Sequence, residues 1–102
     1  MRLIEKLSEM IEEEIGDAQK YAKCALKYKD TDGVLAKTFF DLSTDEMRHM
    51  NLLHEEVSRI ITQYRKEKGA PPESMLAVYD YLHERQIEEA QQVKAYQSMY
   101  RG

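Results

Sequence analysis

Only two stretches of this chain can turn it: Lys29-Asp30-Thr31-Asp32-Gly33 and Lys68-Gly69-Ala70-Pro71-Pro72. The first is rich in turn formers, and the second ends in prolines that stop a helix. Three uninterrupted segments remain, at about residues 2–29, 34–67 and 73–100, each long for a globular helix. With four Gly and two Pro in 102 residues, there are too few turn residues for the many short strands of a sandwich or barrel. The expectation is an all-α chain of three long antiparallel helices forming a single domain over residues 1–102. Asp32 reads as the N-cap of the second helix, and Pro71-Pro72-Glu73 places prolines and an acid where a helix start accepts them.

Steps of three and four residues keep one face of a helix in view. In the first segment they give Leu3, Leu7, Met10, Glu14, Ala18, Tyr21, Ala25 and Tyr28. The second gives Leu35, Phe39, Leu42, Glu46, His49, Leu53, Val57, Ile60 and Tyr64, and the third Met75, Tyr79, Leu82, Gln86, Glu89, Val93, Tyr96 and Tyr100. Each stripe is apolar or aromatic at both ends and interrupted by a carboxylate partway along. A Glu on a core stripe loses most of its hydration, at a cost of several kcal/mol unless it is paired, neutralised or metal-bound.

The depths of these interruptions agree. From a turn near residue 31, Glu14 lies 17 positions back and Glu46 lies 15 forward. On antiparallel helices this brings them within about one turn of each other. Glu46-Met47-Arg48-His49 is Glu-x-x-His, an offset that puts both side chains on one helical face. Glu14, Glu46 and His49 can therefore converge, either as ligands or as a polar layer that sets register in a bundle. Carboxylate oxygen with imidazole nitrogen and no thiolate suits iron or manganese better than zinc.

From Met10 to about Thr62 the chain resembles the ferritin-like superfamily, in the half-length form typified by encapsulated ferritins and by the internal halves of rubrerythrins. The resemblance rests on Glu13-Glu14-Ile15-Gly16-Asp17-Ala18-Gln19-Lys20-Tyr21 and on Asp45-Glu46-Met47-Arg48-His49-Met50-Asn51-Leu52-Leu53. It implies a di-iron site with Glu14 as a terminal ligand, Glu46 as a bridging ligand and His49 as a nitrogen ligand. Manganese is the alternative metal. Tyr21 would be the aromatic beside the metals, and is the one catalytic candidate. Such sites take two Glu and two Glu-x-x-His, and this chain supplies one of each. A homodimer, or a higher homo-oligomer, would complete a four-helix bundle and hold two irons at each interface, with the third helix outside or exchanged. The implied function is ferroxidase-type oxidoreduction, iron handling or peroxide removal, with dioxygen or peroxide as co-reactant. The rival reading is a helical assembly protein whose buried Glu and His specify pairing.

The third helix departs from the family pattern, because it carries no second Glu-x-x-His. Its Glu89 lies seven residues before Tyr96, the same offset as Glu14 to Tyr21, and its depth from a turn near residue 70 matches His49. Glu89 is thus a reserve metal ligand. His54 and His83 read as boundary histidines, and Cys24 as a buried small hydrophobe. Gly16 in mid-helix costs about 1 kcal/mol relative to Ala, which suggests a close helix approach or a local bulge. The net charge of -4 gives no electrostatic reason to bind nucleic acid or an anionic membrane. The chain opens directly into helical periodicity with no secretory signal, so the expectation is a cytoplasmic protein, and its last residues offer no support for targeting into a shell.

Overall fold

The computed structural model describes residues 2–102, the side chain of Ser74 apart. Three helices form: α1 (Arg2–Tyr28), α2 (Gly33–Lys68) and α3 (Glu73–Arg101). Among the described residues there is no strand. No helix among them is long and apolar enough to cross a membrane.

The ends follow from local chemistry. Asp32 Oδ1 accepts a hydrogen bond from the Leu35 backbone N–H at 3.1 Å, satisfying one of the donors that a helix start leaves without a partner. Gly69 closes α2 at φ 81°, a left-handed conformation that glycine adopts without steric cost, and its N–H returns to the Arg65 carbonyl. The two prolines that follow lack a backbone N–H and keep α2 from continuing.

α1 and α2 form an antiparallel hairpin, and α3 runs back beside them, parallel to α1. At the turn end the hairpin seam is built from small residues, with Ala18, Ala22, Ala25, Ala36 and Ser43 all fully buried. Toward the other end the seam widens to admit Ile11, Ile15, Met47, Met50 and Val57, joined by Val93 from α3. Two buried polar links set the position of α3. Ser43 Oγ donates to the Ala18 carbonyl at 2.7 Å and accepts from Gln97 Nε2 at 2.9 Å, which ties all three helices at one level. Gln86 Nε2 approaches the Ser8 carbonyl and hydroxyl at 3.4 and 3.3 Å. Gln86 and Gln97 are eleven residues apart, close to three turns, so both lie on the side of α3 that also buries Val93.

The buried faces of α1 and α2 share Ala18, Ala25 and Val57 with the sequence stripes and otherwise lie one position along from them. In α1 the buried positions are Ser8, Ile11, Ile15, Ala18, Ala22 and Ala25, while Leu3 and Met10 are 50% and 41% exposed. In α2 they are Ala36, Ser43, Met47, Met50 and Val57, while Leu35 and Leu42 are 36% and 37% exposed. The cause is α3. It docks on the flank carrying Ser8 and Ser43 and draws that side of the hairpin into the core. Leu3, Met10, Leu35 and Leu42 of the sequence stripes are left on the other flank, whereas Ala18, Ala25 and Val57 from the same stripes lie in the core.

Gly16 serves no close approach. It is exposed, the helix through it is regular, and a Cβ built on it meets nothing within 4 Å. The tight contact comes from the alanine seam instead. Cys24, expected to be buried, is partly exposed.

Candidate metal centre

Midway along the uncovered flank, α1 presents Glu14 and α2 presents Glu46 and His49. Their depths match because the hairpin register also pairs Ala18 with Ser43 and stacks Tyr21 on Phe39 at 6.2 Å between ring centres. One donor atom from each of Glu14, Glu46 and His49 lies within 4.8 Å of the others. His49 Nδ1 is 3.5 Å from Glu14 Oε2 and 3.8 Å from Glu46 Oε2. These are ion-pair distances, and Glu14 Oε2 accepts no hydrogen bond although the atom itself is buried. Two carboxylates and one imidazole thus face one another without satisfying one another.

The donor set fits a hard or borderline divalent cation. Ligands around one ion at metal bonds of ~2.1 Å sit about 3–4 Å apart, so small rotations of three partly exposed side chains would close the set. Their side-chain exposures of 27%, 20% and 44% leave room for that movement and for further ligands from solvent or a partner. Register in the chain is carried by the Ser43–Gln97 and Ser8–Gln86 pairs, and the Glu/His group contributes no hydrogen bond to it.

Tyr21 lies two turns beyond Glu14 on the same flank, between the cluster and the turn. It forms a ladder with Phe39 and Tyr28, the second step being 6.0 Å. Glu89 lies elsewhere. Its Oε1 accepts from Arg85 Nε at 3.1 Å, and the carboxylate of Glu12 acts on the same guanidinium. Glu89 therefore has the depth of the cluster and the opposite face of α1, so it does not join Glu14. Helical spacing finds depth, whereas the face depends on how α3 docks, which a single-helix stripe does not encode.

A pairing that the sequence stripes do not reveal joins the two remaining histidines across α2 and α3. The rings of His54 and His83 meet edge to face with centres 5.2 Å apart, and Tyr79 stacks on His83 at 5.9 Å. Burial, with the nearby His83, holds the His54 imidazole below its ordinary value and favours its neutral form. The available signal was depth alone, since His54 and His83 lie 15 residues before and 14 after Gly69.

No protein-family model, curated protein or solved structure matches this chain.

Proposed function

We propose that this is a ferritin-like di-iron protein that completes its site by pairing with a second copy. The observation that carries the reading is the position of Glu14, Glu46 and His49 in the middle of an apolar flank that this chain leaves uncovered. A second hairpin laid on that flank about a two-fold axis would bring a second Glu14, Glu46 and His49 to the first. The pair would bury Leu3, Met10, Leu35 and Leu42 and complete a four-helix core, with each α3 remaining on the outside. Full burial of a leucine or methionine side chain contributes about 1.5–3 kcal/mol, so even partial gains at these positions in both copies favour association.

In this reading the chain's residues hold iron and leave the oxidation chemistry to it. Four glutamates balance the charge of two ferrous ions, and two imidazoles add neutral nitrogen donors. Glu14, Glu46 and His49 from the two copies would hold the iron, which when bound would supply the electrons that reduce dioxygen or peroxide. Tyr21 stands on the same flank, where its phenol is the nearest aromatic along α1 to that site. Manganese suits the same donor set.

The test is metal content beside native mass. Protein purified from iron- or manganese-supplemented medium should carry about one ion per chain and run as a dimer or a larger assembly. Glu46→Ala and His49→Ala should each remove most of the metal, with helicity by circular dichroism largely retained. Oxidation of added ferrous iron should fall with them. Metal content indifferent to both substitutions would overturn the site and leave a helical pairing module as the reading.

A further inference from the structure

Among the described residues, two buried side-chain nitrogen or oxygen atoms lack a hydrogen-bond partner: Glu14 Oε2 and His83 Nδ1. The first belongs to the cluster above. The second belongs to the His54–His83 pair on the other side of the molecule, where α3 covers α2. A buried imidazole nitrogen without a partner has lost its hydration with no hydrogen bond in exchange.

The two rings are close enough for both to reach one ion. Metal–nitrogen bonds of ~2.0–2.1 Å place the centres of two imidazoles roughly 5–6.5 Å apart for bond angles from tetrahedral to linear. The observed 5.2 Å lies within that range. The rings are held on separate rigid helices, and Tyr79 fixes the plane of His83 by stacking. A cavity of about 270 Å³ opens beside them, with the thioether of Met50 and the amide of Asn51 on its wall as further donors. Lys94 also lines it and is the one charge there that opposes a cation, but it is exposed and its long side chain can turn its ammonium into solvent.

We propose that His54 and His83 form a second metal site, separate from the Glu14 cluster, that takes a nitrogen-preferring late transition ion, with copper(II) bound most tightly and zinc(II) next. The two sites divide by donor chemistry. The carboxylate-rich cluster selects harder ions, whereas paired imidazoles beside a thioether follow the order that ends in copper. An ion here bridges α2 and α3 and pins α3 to the hairpin independently of the Ser–Gln links.

The experiment uses the full chain carrying Glu46→Ala and His49→Ala, so that the first cluster is absent and failure of one site is not read as failure of the other. Calorimetric titration with copper(II) chloride, and separately with zinc(II) chloride, should give one ion per chain. Electron paramagnetic resonance of the copper form should show two nitrogen ligands. Adding His54→Gln or His83→Gln should weaken binding at least tenfold. Equal binding with and without those changes would mark an adventitious ion only and overturn the site. Should either glutamine variant lose its helical signal, nitrogen-15 imidazole spectra of the starting chain decide the matter. Zinc must move the His54 and His83 ring resonances, and unmoved resonances refute the proposal.

Discussion

Gly16 is followed and preceded by helix, faces open space, and lies two residues after a proposed ligand. Its backbone pays the entropy of a glycine held in mid-helix without using the freedom that glycine offers. Gly16→Ala should therefore stabilise the chain by about 0.5–1 kcal/mol, a rise of several degrees in the thermal midpoint at about 4–8 °C per kcal/mol for a chain of this size. A lower midpoint would mean that a partner approaches α1 at this position. Metal content should not change, because the substitution leaves Glu14 in place. At this scale the sequence was informative about Glu14, Glu46 and His49, since an antiparallel hairpin with a four-residue turn leaves little freedom in depth. It was uninformative about Glu89 and about the meeting of His54 with His83, because both depend on the rotation of α3 about its own axis.

Among the elements, α1 and α2 were legible to within a residue or two because Asp32, Gly69 and the prolines act locally on the backbone. The buried face was legible only in part, at Ala18, Ala25 and Val57. Leu3, Met10, Leu35 and Leu42 stay open because α3 docks on the neighbouring flank, where Ser8 and Ser43 offer hydrogen bonds to Gln86 and Gln97. A stripe scored on hydrophobicity passes over serine, and so it misses the flank that α3 covers. Ser43 carries most of this attachment, as it is fully buried and touches both other helices. Ser43→Ala would leave the Gln97 amide buried without its acceptor, at about 1–3 kcal/mol. Gln97→Leu, which removes the polar group as well, should partly restore the loss in the double variant. Urea unfolding of the four chains gives the coupling directly, and a coupling near zero would show that the hydrogen bond does not hold α3.

For the whole molecule, the governing quantity is its shape. The principal extents are 55 × 19 × 18 Å and the radius of gyration is 16.4 Å, against about 13 Å for a compact chain of this length. α2, with its 36 residues, sets the long dimension. A rod this thin buries little apolar area for its length, and the uncovered flank adds to the deficit. If a second copy covers that flank, Leu42→Glu should shift the native mass toward the monomer and lower the thermal midpoint by several degrees. Val78→Glu, at a position 58% exposed on α3, should do neither. Light scattering with melting at matched concentration distinguishes the two, and an unchanged mass for Leu42→Glu would remove that flank as the dimer surface.

The alanine seam near the turn bears on how quickly the chain reaches this shape. Ala18, Ala22, Ala25, Ala36 and Ser43 meet across a loop only a few residues long, so their contacts form at a small loop-closure cost. The long-range contacts that seat α3 form only after the hairpin exists to receive it. The transition state for folding should therefore resemble a closed hairpin with α3 still loose. Ala22→Gly should slow refolding, whereas Gln97→Ala should chiefly hasten unfolding, and stopped-flow measurement of both rates would reveal whether the hairpin leads.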